Sequence, residues 1–255
     1  MCSHVRSGST LLGEAIFGAG GWGIPLEYFH VGFRPKFVEL WGARELQEYL
    51  INLYRRRTEP SGCLSVKLFW RDVVELAAER DPENFGDPAV LTGKIEDAAT
   101  YRKLFELLCG IFPNPTIIHL TRRNRLRQAI SGVTAVTENR WRKFDTTPAS
   151  AKSADEIYDS AWFVRAVMSS TMSDNHWNAF FDANNLSPFR IVYEDFVQDY
   201  AGTLQRLFAH LGRPDAKIVE PRLQRQSDER NEEMYERFLA ERADMFRKKR
   251  EETGG

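Results

Sequence analysis

A chain of 255 residues is long enough for one large α/β domain with its own core, or at most two small ones. Its 42% hydrophobic and 28% charged residues are typical of a globular protein. A net charge of −1 excludes a positive electrostatic field over the whole protein that would attract nucleic acid, so any anion site must be local. Three cysteines without a C-x-x-C pair and five histidines without ligand spacing indicate neither a disulfide framework nor a metal site. With no signal peptide and no apolar run near the roughly 18 residues of a membrane span, a cytoplasmic enzyme is expected.

The first predicted elements are a short strand within residues 1–5 and a helix over 11–19 that stops at the double glycine 20–21. They are joined by a turn made of Arg6, Ser7, Gly8, Ser9 and Thr10. A turn at a helix N-terminus presents unpaired backbone N–H groups, and the helix dipole favours negative charge there. The glycine permits close approach of the backbone, the hydroxyls are donors, and the arginine adds a fixed positive charge. The turn therefore predicts an anion site, above all for phosphate.

This turn differs from the two common nucleotide-binding loops. The Walker pattern requires a lysine after its second glycine, where this chain has Ser9 after Gly8, and the dinucleotide pattern G-x-G-x-x-G is absent from the turn. A nucleotide triphosphatase is therefore disfavoured. The alternative that Ser7 and Thr10 merely cap the helix stays open at this point.

The remaining elements alternate between helices and short strands. In chain order, the patterns predict a helix over 43–56, a strand over 63–70, a helix over 96–109, a strand over 116–120, a helix over about 126–137, a long helix over about 154–184, a strand over 188–193 and a helix over 199–211. The charged segment 228–250 predicts a solvated helix, followed by a disordered end at 251–255. Since repeats and low-complexity linkers are absent, residues 1–255 are interpreted as a single domain.

Strands separated by helices predict an α/β fold, with a mostly parallel central sheet and helices on both faces. Ligands of such sheets bind beyond the carboxyl ends of the strands. The turn at 6–10 follows one strand, and Arg122 and Arg123 follow the strand over 116–120, with Ser131 about two turns later. An arginine at a strand end can bind a phosphate through two hydrogen bonds, whereas the arginines further along the sequence are typical of a solvated helix face. Two anion sites on one edge predict a ligand with two phosphate-like groups.

Five separated segments stand in an order typical of one enzyme family. They are Arg6-Ser7-Gly8-Ser9-Thr10-Leu11-Leu12, Pro25-Leu26-Glu27-Tyr28-Phe29, Lys67-Leu68-Phe69-Trp70, His119-Leu120-Thr121-Arg122 leading to Gln128-Ala129-Ile130-Ser131, and Arg225-Gln226-Ser227-Asp228-Glu229-Arg230. Together they resemble the bacterial carbohydrate sulfotransferases of the trehalose 2-sulfotransferase type, over about residues 3–240. The resemblance implies a P-loop-like, three-layer sulfotransferase fold that uses 3′-phosphoadenosine 5′-phosphosulfate (PAPS) as the sulfuryl donor, without a metal.

The resemblance also implies roles for single residues. The turn from Arg6 to Thr10 would hold the 5′-phosphosulfate, and Arg122 with Ser131 would hold the 3′-phosphate. Arg123 is the neighbouring candidate for that second site. The segment Arg225-Gln226 would close over the adenosine end.

By the same resemblance Glu27 would be the general base that takes the proton of the acceptor hydroxyl. The alternative is a surface acid that follows a turn at Pro25. Lys67 interrupts an apolar strand, so it is expected either to emerge at the strand end into the catalytic site or to snorkel at a sheet edge. Several aromatic residues offer either a platform for a sugar or ordinary core packing: Trp22, Tyr28, Phe29, Trp70 and Trp141.

The leading hypothesis is an enzyme that transfers a sulfuryl group from PAPS to a hydroxyl of a carbohydrate or glycolipid. An ATP-dependent small-molecule kinase and a non-catalytic nucleotide-binding module are the alternatives, and the missing Walker lysine disfavours the kinase. A homodimer is expected by analogy, and a nucleic-acid partner is not expected. The acceptor-facing region over 30–60 shares little with the family, so trehalose is not assumed as the acceptor.

Overall fold

The computed structural model describes residues 1–93, 95, 97–139, 141, 152–221 and 229–252. This part of the chain falls into two compact units. The first unit comprises Met1–Arg123 and Met172–Pro221, and the second comprises Asn124–Thr171 and the described part of Arg222–Gly255. The single domain expected over residues 1–255 stays a prediction.

The described residues form short strands and many helices. The strands are β1 (Cys2–Ser3), β2 (Leu68–Phe69), β3 (Ile118–Thr121) and β4 (Phe189–Val192). The helices are α1 (Ser9–Ala19), α2 (Arg34–Trp41), α3 (Leu46–Arg57), α4 (Trp70–Arg80), α5 (Pro82–Phe85), α6 (Ala89–Thr92), α7 (Ala98–Ile111), α8 (Arg125–Thr137), α9 (Ala154–Ile157), α10 (Ser160–Ala183), α11 (Tyr193–Gln198), α12 (Tyr200–His210) and α13 (Glu229–Glu252). Helices α2, α4, α5, α6 and α11 were not expected from the sequence patterns.

The four strands form one sheet in the order β2-β1-β3-β4, and every pairing between them is parallel. Cys2 of β1 lies opposite Leu68 of β2 on one side and His119 of β3 on the other. Parallel neighbours need long crossover connections, and helices lie between each two successive strands of the chain. The predicted α/β class, with a mostly parallel central sheet flanked by helices, is confirmed.

Both faces of the sheet are covered, because successive strand residues point to opposite sides. Ile118 and Leu120 of β3 belong to a buried cluster with side chains of α1, α11 and α12. His119, between them, lies against Phe181 with ring centroids 5.1 Å apart. Phe181 belongs to the opposite cluster, which contains side chains of α3, α4, α7 and the C-terminal half of α10. The first unit thus has three layers, with the sheet in the middle.

The second unit is helical and has its own small core. Met234 of α13 is fully buried in a cluster with residues of α8, α9 and α10. Arg127 of α8 pairs with Glu232 of α13 (Nη2 to Oε1, 2.6 Å), so this arginine is not part of a purely solvated face. The disorder expected over residues 251–255 is wrong for the first two, which belong to α13, and the last three lie outside the described residues.

Two boundaries differ from the sequence expectations because of local caps. The strand expected over 63–70 shortens to β2 since α4 begins at Trp70, and the carboxylate of Asp72 accepts the Phe69 N–H at 2.9 Å. The helix expected over 154–184 is interrupted after α9. There Asp159 Oδ1 accepts the N–H of Trp162 at 2.8 Å and starts α10 as a new helix.

The Asp72 carboxyl group makes folding stability dependent on pH. Burial, with a smaller contribution from the charges of Glu27 and Glu75, raises its pKa to about 7. A carboxyl with a raised folded-state pKa stabilises the fold below its unfolded pKa, and this contribution disappears as the pH rises through the folded value. Raising the pH from 4.5 to 8 should lower the free energy of unfolding of the wild type by on the order of 2–4 kcal/mol more than that of Asp72→Asn. Urea unfolding at both pH values measures this difference.

Asp97→Asn is the matched control for Asp72→Asn. Asp97 also accepts a backbone N–H at a helix start, from Ala99 at 2.8 Å, but it is exposed. Equal pH dependence of the Asp72→Asn variant and the wild type would contradict a buried proton-binding carboxyl at residue 72.

Candidate functional site

The turn between β1 and α1 is strained in the manner expected of a ligand-binding loop. Arg6 has φ of 62° and Gly8 has φ of 92°, so two of its residues occupy the left-handed region. Such a conformation costs about 1–3 kcal/mol for a residue other than glycine and clusters at functional sites. A Cβ on Gly8 would lie 2.4 Å from Cδ2 of Tyr193, so the turn has room only for glycine there.

The hydroxyl group of Ser7 supports the interpretation of this turn as an anion site. Ser7 is 1% exposed, and its Oγ makes no hydrogen bond with any described residue. A buried hydroxyl without a partner is costly, so it points to a ligand group. The N-cap of α1 is Gly8, which has no side chain to cap with, so capping does not account for Ser7.

Arg122 reaches the same turn from the end of β3. Its Nη1 donates to the carbonyl oxygen of Arg6 at 3.0 Å, and its guanidinium carbon lies 4.7 Å from the ring centroid of Tyr193. Burial, with a smaller contribution from the charge of Arg122, lowers the pKa of Arg6 to about 10. The two guanidinium groups therefore repel each other, which an anion placed beside them would relieve.

Glu194 of α11 lies near both arginines, 3.9 Å from Arg122 Nε, but Arg123 makes the closer contacts with the acids of this helix. Its backbone N–H donates to Glu194 at 2.8 Å, and its Nη2 donates to both carboxylate oxygens of Asp195 at 2.8 and 2.9 Å. Its side chain is 63% exposed, against 16% for Arg122. Of the two arginines, the structure brings Arg122 to the turn.

Glu27 and Lys67 form an ion pair, with Lys67 Nζ 2.7 Å from Glu27 Oε1. A parallel bridge between Leu26 and Val66, with a hydrogen bond from the Lys67 N–H to the Leu26 carbonyl at 2.9 Å, brings the two together. The Lys67 side chain is 2% exposed and that of Glu27 is 17% exposed. Snorkelling of Lys67 at a sheet edge is therefore wrong, because a lysine at this depth needs the carboxylate.

The charge of Glu27 acts on the neighbouring titratable groups. It raises the pKa of Arg6, against the larger effect of burial, and it opposes the lowering of the His30 pKa. Glu27 thus lies within electrostatic range of the turn. Arg6 thus lies within electrostatic range of both Arg122 and Glu27.

Four of the proposed platform aromatics are core residues: Trp22, Tyr28, Phe29 and Trp70 are at most 6% exposed. Trp141 is 40% exposed and belongs to the second unit. The aromatic residues beside Glu27 are instead His30, which is half-buried, and Phe33, which is 38% exposed. The sequence analysis singled out neither residue, although both follow Glu27 within a short segment that contains a glycine.

The family model of the Stf0 sulphotransferases matches residues 1–241, which is most of the chain and includes described parts of both units. The chain belongs to the Stf0 sulphotransferase family. The predicted family is thereby confirmed, and the protein is a sulfotransferase. Membership favours this hypothesis over the kinase and the non-catalytic module.

Individual relatives agree with this family. The chain is 24% identical to the trehalose 2-sulfotransferase of Mycolicibacterium smegmatis (strain ATCC 700084 / mc(2)155), over 247 aligned positions that cover 91% of each chain. It is also 24% identical to the trehalose 2-sulfotransferase of Mycobacterium tuberculosis (strain ATCC 35801 / TMC 107 / Erdman), over 263 aligned positions that cover 92% of each.

The remaining predicted site residues lie either in the second unit or outside the described residues. Ser131 is a buried residue of α8 in the second unit, and Arg225 and Gln226 lie outside the described residues. Within the described ranges, no group of three or more His, Cys, Asp and Glu side chains could hold a metal ion. None of the helices described is long and apolar enough to cross a membrane.

Replacing Gly8 tests the turn that places the anion site. Gly8→Ala forces a side chain into the left-handed region and against Tyr193, so we expect a loss of about 2–4 kcal/mol in the free energy of unfolding. Gly42→Ala is the control, because Gly42 is also left-handed, with φ of 65°, but no described atom lies within 4 Å of a new Cβ. That variant should lose only about 1–2 kcal/mol. Equal losses in urea unfolding would show that the contact with Tyr193 does not constrain the turn.

Proposed function

We propose that this protein transfers the sulfuryl group of PAPS to a hydroxyl of a carbohydrate or glycolipid. The observation that carries the proposal is that Arg122 binds the turn at Arg6 and the charge of Glu27 acts on that arginine, in a chain of the Stf0 sulphotransferase family. The names of two relatives give trehalose as their acceptor. At 24% identity this supports a carbohydrate acceptor for the chain without specifying which sugar.

The turn between β1 and α1 fits the 5′-phosphosulfate group of the donor. The hydroxyl of Ser7, the N-terminus of α1 and the close backbone approach at Gly8 all suit an anion, and the hydroxyls of Ser9 and Thr10 are further candidate donors. When bound, PAPS supplies the sulfuryl group and leaves as adenosine 3′,5′-bisphosphate.

Arg122 is the proposed ligand of the 3′-phosphate, rather than Arg123. Arg122 is the less exposed of the two and lies beside Arg6, whereas Arg123 is held by Asp195. Ser131 at the 3′-phosphate, and Arg225 with Gln226 at the adenosine end, stay predictions of the family resemblance. A cytoplasmic location, a homodimer and a mechanism without a metal also stay predictions.

Glu27 is the proposed general base. Its carboxylate takes the proton of the acceptor hydroxyl as the hydroxyl oxygen forms its bond to sulfur, while the bond from sulfur to the bridging phosphate oxygen breaks. Lys67 contacts Oε1, which leaves Oε2 for the hydroxyl, so Lys67 acts as a positioning residue for the base. The cationic group of Arg6 and the backbone N–H groups of the turn would stabilise the charge that develops on the leaving 5′-phosphate.

Glu27→Gln tests the base. The amide cannot accept the proton but still offers an oxygen to Lys67, so we expect kcat for labelled sulfate transfer to fall roughly 10²–10⁴-fold. Affinity for adenosine 3′,5′-bisphosphate should stay unchanged, which shows that the variant is folded. Glu39→Gln, an exposed acid of α2, is the control and should keep full activity. Unchanged kcat in Glu27→Gln would remove Glu27 from the mechanism.

Calorimetric titration tests the donor. We expect the protein to bind adenosine 3′,5′-bisphosphate, and Arg122→Ala to weaken that binding roughly 10- to 100-fold through loss of charge-assisted hydrogen bonds. Arg123→Ala is the matched control and should weaken it less than threefold, because that guanidinium is held by Asp195. Binding of ATP without any response to the bisphosphate would overturn PAPS as the donor.

A further inference from the structure

The turn that begins at Glu27, the proposed base, carries a half-buried histidine and an exposed phenylalanine. The His30 N–H donates to the Glu27 carbonyl at 3.2 Å, and the His30 carbonyl accepts the N–H groups of Phe33 at 2.9 Å and Arg34 at 2.8 Å. These bonds keep His30 and Phe33 within one compact turn that begins at Glu27. Neither side chain has a role in donor binding or in the proposed proton transfer.

This turn is fastened to the first unit. Arg34, which ends it, donates Nη2 to Glu79 Oε1 of α4 at 2.8 Å, and its guanidinium carbon lies 5.2 Å from the ring centroid of Tyr49. A turn anchored in this way can present side chains in a fixed geometry, which reduces the entropy cost of binding a ligand.

The hydrogen bonds of His30 determine which ring nitrogen can serve a ligand. Its Nδ1 accepts the N–H of Gly32 at 3.1 Å, so in the neutral ring the proton lies on Nε2. Burial lowers the pKa of His30; among the charges that face it, Glu27 and Glu75 raise the pKa and Arg71 lowers it. At neutral pH the ring therefore offers one N–H donor, at Nε2, within electrostatic range of Glu27.

Phe33 supplies an apolar surface beside that donor. Its ring centroid lies 5.2 Å from that of His30, and 38% of the residue is exposed. On the His30 ring, Phe69 makes an edge contact with centroids 6.1 Å apart. A single exposed aromatic residue is common on protein surfaces, but here it shares a turn with the candidate base and a hydrogen-bond donor. A sugar ring has an apolar C–H face and a rim of hydroxyls, which fit such a pair.

We infer that His30 and Phe33 form the acceptor subsite, in which the Phe33 ring stacks on one sugar ring and His30 Nε2–H donates to a sugar hydroxyl. The inference rests on the proposed function and adds the residues that select the acceptor. They hold the reacting hydroxyl toward the Oε2 of Glu27. In this arrangement the pair sets the acceptor preference of this chain.

Sulfate transfer by matched variants tests the subsite. The acceptor is the sugar that the wild type sulfates fastest among trehalose, maltose, sucrose and cellobiose. His30→Ala should raise the KM for that acceptor roughly 3- to 10-fold, since one hydrogen bond is lost. His30→Gln, which keeps an N–H donor, should stay within about twofold of the wild type. Phe33→Ala should raise the same KM, and Phe33→Tyr should restore it.

The controls separate the subsite from the fold and from the proposed function. Val31→Ala removes an exposed side chain from the same turn, where Val31 is 46% exposed, and should leave the KM unchanged. All variants should bind adenosine 3′,5′-bisphosphate as the wild type does. Unchanged KM in both His30→Ala and Phe33→Ala, with an active wild type, would overturn the subsite alone. A wild type that sulfates none of the four sugars and does not bind the bisphosphate would overturn the proposed function itself. A wild type that binds the bisphosphate but sulfates none of them would contradict a subsite that binds the ring of such a sugar.

Discussion

The ammonium group of Lys67 lies in the interior of the first unit, where it needs an anionic partner. Glu27 supplies the partner at 2.7 Å, and the bridge between Leu26 and Val66 holds the two segments together. Removing one partner from a buried pair typically costs about 3–5 kcal/mol. The stability of the first unit and the position of the candidate base are therefore coupled.

The anion site beside this pair depends on a second constraint, which is the close approach of two strand ends. Because β1 and β3 are parallel neighbours, the turn at Arg6 and the arginine at residue 122 emerge at the same edge. Gly8 lets the turn pass against Tyr193, and Tyr193 in turn lies beneath the guanidinium of Arg122. A positive site thus forms in a protein whose net charge is only −1. Local geometry, rather than composition, makes this edge suitable for an anionic donor.

Some parts of this site could be predicted because their signals are local. Gly8 was expected to allow close approach, and it adopts a positive φ against Tyr193. The strand at Ile118–Thr121 was visible from its β-branched residues between prolines. Other parts could not be predicted. Trp70 suits a buried strand by composition, yet it begins α4 because Asp72 caps the helix. Aromatic composition also does not reveal burial, so the exposed Phe33 was missed.

The sequence by itself determined the α/β class, the order of the main elements and the family, because periodicity, turn residues and motifs are properties of neighbouring residues. The tertiary structure alone decided which arginine meets the turn, what Lys67 pairs with and which aromatic residues stay exposed. Those outcomes depend on residues far apart in the chain, such as Arg6 and Arg122, 116 positions apart, and Glu27 and Lys67, 40 apart. Only packing brings such residues together, since the cost of burying a charge or a ring is set by what surrounds it in space.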